Sequence, residues 1–196
     1  MEEERAAAMA RRLGRTAKTA GLDEPDCARL VAAFTRVMER REAEITEAGH
    51  PEYLHPARTA LILLDDAHVT NGSALLAAIA YDSVRPELTL PDAEVQELGG
   101  VASVAALHQL PAPGLDDGVL LETLVVADPD LLNVALAERL DHARHLHLSK
   151  ASDWSEFHHQ IVTVFMPAAR RGHPMLARRI GRWAEAFEWR FLKKLI

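Results

Sequence analysis

Three polar residues stand in segments that are otherwise apolar, and their side chains are of the kinds that bind metal ions. His55 opens one apolar segment, Asp82 closes the next, and Glu138 lies inside a later one. An imidazole or a carboxylate that is buried without a partner is costly. If the first two segments are helices packed side by side, His55 and Asp82 can meet in a dry core. A divalent metal is one candidate partner for these groups, and direct hydrogen bonds among them are the other.

The segments that carry these residues have the spacing of helices. Apolar residues recur at intervals of three and four along nearly the whole chain, and no run alternates with period two. Ser73 is predicted to cap the fourth helix, and Ser152-Asp153 the ninth. The predicted fold class is therefore all-α, with one domain over 1–196. The predicted helices cover 2–20, 24–47, 56–65, 74–84, 89–100, 101–110, 116–127, 129–147, 152–169 and 174–191.

The composition restricts the classes of protein to which the chain can belong. With 196 residues, of which 48% are hydrophobic, it is long enough to bury one sizeable core. Its apolar runs are shorter than the roughly 18 residues of a membrane helix, and its acidic start is unlike a signal peptide. A net charge of -7 disfavours nucleic-acid binding, and the single cysteine excludes an internal disulfide. The sequence thus predicts a cytoplasmic protein without membrane or nucleic-acid partners.

Three segments follow one another in the order of a known set of motifs. Segment 51–56, Pro-Glu-Tyr-Leu-His-Pro, is similar to a Tyr-x-x-His-Pro opening. Segment 136–146, Leu-Ala-Glu-Arg-Leu-Asp-His-Ala-Arg-His-Leu, is similar to Leu-Ala-Asp-Arg-Leu-His-Asn-Met-Arg-Thr-Leu, and segment 164–171 to Tyr-Ala-Pro-Leu-Ala-His-Arg-Leu. These motifs belong to the HD-domain phosphohydrolases, and the chain most resembles the RelA/SpoT-type domains that hydrolyse guanosine tetraphosphate (ppGpp). The resemblance implies an HD-type helical bundle, with N-terminal helices over 1–48 and an HD-like core over 49–192.

The family holds a divalent metal with two histidines, an aspartate beside the second histidine and a distant aspartate. Carried over by position, the resemblance implies that His55, Asp82 and Glu138 are metal ligands, while Tyr81 stands where the second histidine belongs. A neutral phenol is a poor ligand for Mn²⁺ or Mg²⁺. We therefore expect manganese or magnesium as the cofactor, with weak or absent occupancy.

The motif over 136–146 also implies residues that contact a nucleotide. Arg139 and Arg144 keep the family's arginines, and His142 stands in place of its nucleotide-binding asparagine. The expected partner is a guanine nucleotide or another phosphorylated small molecule. The alternative is that the two arginines form ion pairs, and that His142, His145 and His147 lie on the polar face of a helix.

The groups that activate water and seat the polyphosphate in the family are altered. Arg85-Pro86 replace its Glu-Asp pair, and neither residue can accept a proton at neutral pH. Thr46-Glu47 lie near the place of the family's basic residues. The resemblance therefore implies a phosphohydrolase-like protein with little ppGpp hydrolase activity, which would act as a metal-dependent nucleotide pyrophosphohydrolase if it is an enzyme. The alternative is a non-catalytic helical module, for nucleotide binding or protein interaction, that kept only the fold.

Overall fold

The chain is all-α in the part that the structure describes, as the sequence predicts. The computed structural model describes residues 2–44, 54–146 and 150–192, and no strand occurs in these ranges. Short 3₁₀ turns at Pro86–Leu88 and Ala151–Asp153 connect helices. The helices are α1 (Glu2–Thr19), α2 (Glu24–Glu44), α3 (His55–Asp66), α4 (Gly72–Ala80), α5 (Asp92–His108), α6 (Asp117–Val126), α7 (Pro129–His145), α8 (Trp154–Gln160), α9 (Met166–Ala169) and α10 (Pro174–Phe187).

The short helix α4 lies at the centre of the fold. Its residues from Ala74 to Ala80 are all buried, and it packs against α2, α3, α5 and α7. Burial on every side explains why this part of the sequence lacks the polar face of a surface helix. With 9 residues, α4 is far shorter than a membrane span. None of the helices in the described ranges is both long and apolar enough to cross a membrane.

Helices α3 and α7 pack on α4 and carry the polar residues singled out in the sequence. α3 begins at His55, with Pro56 in its first turn, where the missing N–H costs no helical bond. α7 begins after Asp128, whose side chain accepts the N–H of Asp130 at 2.9 Å. The predicted boundary at Asp128-Pro129 is thus confirmed. Since α3 and α7 contact both each other and α4, the polar groups at 55, 82 and 138 lie in one region of the core.

Two predicted helix caps are wrong. The side chain of Asn71, not that of Ser73, accepts the first free N–H groups of α4, from Ser73 at 3.1 Å and Ala74 at 3.2 Å. Asn71 has the extended backbone that an N-cap requires, whereas Ser73 already lies inside the first turn. Asp153 makes no capping hydrogen bond, because the 3₁₀ turn at Ala151–Asp153 runs directly into α8.

The predicted break at Gly99-Gly100 is a kink within α5. Gly100 has φ 74° and ψ -177°, a conformation that is nearly restricted to glycine. Gly99 serves another purpose, because a Cβ there would lie 2.3 Å from Oγ of Ser103 and 2.5 Å from a methyl carbon of Leu76. The two glycines therefore bend α5 and let it approach α4 closely.

The predicted helix over 152–169 is continuous but changes its winding. α8 passes through a π-helical turn, Ile161–Phe165, before α9, and the N–H of Met166 bonds to the carbonyl of Ile161. Pro167 has no N–H, and its ring would clash with a carbonyl in normal α-helical winding. The wider π turn accommodates this proline.

Candidate metal centre

A buried carboxylate holds the ring of His55. Nδ1 of His55 lies 2.9 Å from Oδ2 of Asp141, and both side chains are buried. Arg58 directs its Nε at the same carboxylate, at 2.9 and 3.0 Å from the two oxygens. Burial works to raise the pKa of Asp141, but the hydrogen bonds from His55 and Arg58 and the charge of Arg58 hold it well below its usual range. An ionised carboxylate can only accept, so Nδ1 of His55 carries a proton and donates it.

The other ring nitrogen of His55 keeps a lone pair. Burial and the neighbouring His142 lower the pKa of His55, so its ring is neutral at neutral pH. With the proton on Nδ1, Nε2 is the basic nitrogen, and it is buried without a hydrogen-bond partner among the described residues. Histidines that bind metals are commonly oriented in this way, by a carboxylate at the nitrogen that does not face the metal.

Glu138 and His142 form a buried ion pair beside His55. They lie four residues apart on α7, so they share one face of the helix, and Nε2 of His142 is 3.1 Å from Oε1 of Glu138. The N–H and hydroxyl of Ser83 donate to the same oxygen, at 2.9 and 2.6 Å. Burial alone would lower the pKa of His142, but Glu138 and Asp82 raise it to about 10. Burial alone would raise the pKa of Glu138, but His142 lowers it to about 2.

His55, Glu138 and His142 together form what we call the His–Glu–His centre. One ligand atom from each residue lies within 4.8 Å of the others, and all three residues are buried. The rings of His55 and His142 stack, with centroids 4.1 Å apart and planes at 27°. Two imidazoles and a carboxylate at this spacing could hold a metal ion, which would replace the proton that His142 shares with Glu138.

Asp82, another predicted ligand, has both carboxylate oxygens bound by other groups. Oδ2 accepts a hydrogen bond from the buried Arg41 at 2.5 Å. Oδ1 accepts the backbone N–H groups of Val84 and Arg85 at 3.1 and 2.7 Å, and it lies 3.5 Å from Nε2 of His142. Burial works to raise the pKa of Asp82, but His142 and Arg41 hold it far below its usual range. Asp82 thus adjoins the His–Glu–His centre as a counterion, outside the set of mutually close ligand atoms.

Tyr81 is committed to a neighbouring loop. Its hydroxyl donates to the carbonyl of Pro111 at 2.7 Å, and burial raises the pKa of the phenol. Its ring lines a cavity of about 150 Å³ together with Ser83, Glu138 and Arg139, which we call the Glu138 cavity. Glu138 of the His–Glu–His centre thus forms part of the wall of this cavity.

The three residues predicted to bind a nucleotide do not line one cavity. The guanidinium carbon of Arg139 lies 4.9 and 4.6 Å from the ring centroids of Phe157 and Phe165, and this residue lines the Glu138 cavity. His142 belongs to the His–Glu–His centre. Arg144 is exposed and lines two grooves elsewhere on the surface. Their common role at a nucleotide stays a prediction.

The residues in place of the family's Glu-Asp pair form a surface turn. Pro86 begins the 3₁₀ turn after α4, and Nε of Arg85 lies 3.1 Å from Oε1 of Glu87. Glu87, the carboxylate that directly follows Arg85-Pro86 in sequence, is therefore paired with Arg85. Thr46-Glu47 and the first three residues of the opening motif, 51–53, lie outside the described residues.

Sequence reasoning missed the place of His142 beside His55 and Glu138 in the candidate centre, and the contacts that Asp141 and Arg41 make around it. A signal for His142 was present, because it follows Glu138 by four residues in a helix. No local signal could find the other two. Asp141 meets His55 across 86 residues of sequence, and Arg41 meets Asp82 across 41.

Comparison of the chain with known protein families finds no match, and comparison with curated proteins finds none either. The chemistry of the His–Glu–His centre is therefore inferred from its own geometry.

Proposed function

We propose that this protein is a metal-binding relative of the HD phosphohydrolases that acts on a small phosphate compound and has little activity toward ppGpp. The His–Glu–His centre would hold one divalent metal ion, and the Glu138 cavity would take the phosphate group. The observation that carries the proposal is Nε2 of His55, which is buried, unpartnered and fixed beside Glu138 and His142 by the bond to Asp141.

The donor set favours a divalent transition metal. Imidazole nitrogens suit zinc, iron and nickel, whereas Mg²⁺ prefers oxygen ligands throughout. The expectation of weak occupancy rested on the loss of a nitrogen ligand at Tyr81, and His142 offers a nitrogen from a different helix. When bound, such an ion supplies Lewis-acid polarisation of a phosphate oxygen and lowers the pKa of a water molecule.

The Glu138 cavity has the size and the polar groups for one phosphate. Its volume of about 150 Å³ is below the roughly 300–1,000 Å³ of typical small-molecule sites, which suits a phosphate group better than a whole nucleotide tetraphosphate. Ser83 and Arg139 line it, and Nε of Arg139 is buried without a hydrogen-bond partner in the described ranges. Since a guanidinium matches phosphate oxygens well, Arg139 would bind and orient the anion next to Glu138.

The pairing of the acidic groups would slow water activation for every phosphate substrate, and the small Glu138 cavity adds the discrimination against ppGpp. The carboxylates packed around the centre are already bonded to cations or imidazoles, Glu138 to His142, Asp82 to Arg41 and Asp141 to His55. None of these three is therefore free to take a proton from an attacking water. Loss of general-base help typically lowers a rate by ~10²–10⁴-fold.

One observation favours a second candidate, a non-catalytic module. Arg41 and the protonated His142 already neutralise Asp82 and Glu138 inside the core. Buried charges that are paired in this way need no metal ion. In this case the cluster would hold the helices in register, and the chain would act by binding alone.

A phosphatase assay separates the two candidates. Full-length protein loaded with zinc, manganese or magnesium is given para-nitrophenyl phosphate, other small phosphate monoesters and ppGpp, and phosphate or pyrophosphate release is measured. We expect release from at least one small ester to exceed that from ppGpp, and His55→Gln to abolish it.

The control is His159→Gln, the same substitution at an exposed histidine, which should leave release unchanged. Metal binding without release from any substrate would favour the second candidate. Rapid ppGpp hydrolysis that depends on His55 would contradict the proposed substrate class.

A further inference from the structure

A second cavity, far larger than the Glu138 cavity, lies at the C-terminal end of the described fold. It has a volume of about 560 Å³, within the range of small-molecule sites. α7, α8, α10 and the π turn Glu188–Leu192 supply its walls. We call it the aromatic groove, and its side chains are Arg144, Trp154, Trp183, Phe187, Arg190 and Phe191.

The rings of the aromatic groove form one continuous surface. The centroid of Phe187 lies 4.8 Å from those of both Trp183 and Phe191, and Trp154 lies 5.0 Å from Phe191. Trp183 and Phe187 are nearly parallel, at 23°, whereas Trp154 stands at 72° to Phe191. Such a surface offers both a face and an edge to a flat ring, the two favourable geometries for aromatic pairs.

Trp154 lines the groove and has an unsatisfied donor. Its Nε1–H is buried and has no hydrogen-bond partner in the described part of the chain. Buried indole N–H groups usually donate to an acceptor, because a buried donor without a hydrogen bond is costly. Because this nitrogen has almost no accessible surface, the indole must turn before an acceptor atom on a ligand in the groove can satisfy it.

The charges at the groove have one sign. Arg144 and Arg190 line it, and no acidic residue does so among the described residues. Both arginines are exposed, and the guanidinium carbon of Arg190 lies 5.3 Å from the ring centroid of Phe191. A positively charged rim around an aromatic floor attracts an anion that carries a flat apolar ring.

We infer that the aromatic groove binds a small planar aromatic anion, such as an aromatic carboxylate or sulfonate. The rings stack with the ligand, Nε1 of Trp154 donates to it, and Arg144 and Arg190 bind its charge. This site is independent of the His–Glu–His centre and of the proposed function.

Two dyes that differ by one charged group test this inference. Anilinonaphthalene sulfonate carries an anionic sulfonate, and N-phenylnaphthylamine has the same rings without it. The chain has three tryptophans. Trp154 and Trp183 line the groove, and Trp189 lies in the π turn Glu188–Leu192, which forms one of its walls. Excitation of tryptophan should therefore sensitise emission from dye bound in the groove. We expect one sulfonate dye per chain, bound at least tenfold more tightly than the neutral dye.

Matched variants locate the dye. Arg144→Gln and Arg190→Gln should each weaken the sulfonate dye by about tenfold, the scale of a partly exposed charged hydrogen bond, and leave the neutral dye unaffected. Arg182→Gln changes an exposed arginine of α10 outside the groove and should alter neither. Trp154→Phe keeps the packing and removes the donor, so it should also weaken binding. Equal affinity for the two dyes, or sulfonate binding that survives the double substitution of Arg144 and Arg190, would overturn the inference.

Discussion

Replacing Asp141 with asparagine tests whether the contact with Asp141 orients the ring of His55. The substitution keeps the shape of the side chain and removes its charge. Asp141 accepts from Nδ1 of His55 at 2.9 Å and from Nε of Arg58 at 2.9 and 3.0 Å. An asparagine offers one carbonyl oxygen and one amide group, so it can accept from only one of these donors well.

The expected loss of stability follows from these contacts. Hydrogen bonds to charged groups contribute ~1.5–3 kcal/mol each, against ~1 kcal/mol for neutral ones. The bond to His55 is fully buried, whereas the side chain of Arg58 is 22% exposed and can turn to water. We therefore expect Asp141→Asn to lower the free energy of unfolding of the metal-free protein by about 1–3 kcal/mol.

The effect on metal binding should be larger than stability alone explains. Loss of a partner that orients a ligating histidine typically lowers metal affinity by ~10–100-fold. Zinc affinity would be measured by competition with a chromophoric chelator at a temperature where both proteins are folded. Asp130→Asn makes the same change near the start of α7, outside the centre, and should leave affinity within about twofold, in line with other substitutions away from buried networks. If Asp141→Asn also binds zinc within twofold of the unchanged protein, Asp141 does not orient a metal ligand.

Three further predictions concern stability, each measured by urea unfolding. In the metal-free protein, burial works to lower the pKa of His142 but Glu138 raises it from 6.5 to about 10. This contribution to stability is complete below about pH 6.5 and is lost as the pH rises through about 10. Between these pH values, the free energy of unfolding should therefore fall more steeply with pH in the unchanged protein than in His142→Gln. An equal dependence on pH in the two proteins would contradict the ion pair between His142 and Glu138. Gly100→Ala should cost about 1–3 kcal/mol because its φ of 74° strains any other residue, while Gly181→Ala, in an open helical position, should be neutral or stabilising. Leu75→Ala in the buried helix α4 should cost ~2–5 kcal/mol, and a loss below 1 kcal/mol would mean that α4 is not the centre of the core.

The sequence predicts the fold class and most helix boundaries because those depend on local patterns. The apolar runs of α3 and α4, the Asp128-Pro129 start of α7 and the break at Gly99-Gly100 are all visible within a few residues of sequence. Caps are less certain, since several residues near a helix start can accept the same N–H groups, and Asn71 rather than Ser73 does so in α4.

Part of the candidate centre could also be predicted from local patterns in the sequence. His55 and Glu138 stand out as polar residues in apolar helices, and the structure places both in the His–Glu–His centre. His142 was assigned to a nucleotide or to a polar helix face, although its spacing from Glu138 was informative. Whether Asp82 faces a metal or Arg41 depends on a contact between distant helices, which local periodicity cannot predict.

The metal content of the purified protein shows whether the His–Glu–His centre binds an ion. The protein, and variants His55→Gln, Glu138→Gln and His142→Gln, are incubated with excess zinc or manganese, dialysed and measured by elemental analysis, with His159→Gln as the control. We expect about one metal ion per chain in the unchanged protein and the control, and well below one in each of the three variants, with circular dichroism showing that they remain helical. A full complement of metal in His142→Gln, or none in the unchanged protein, would show that the His–Glu–His centre is not a metal site.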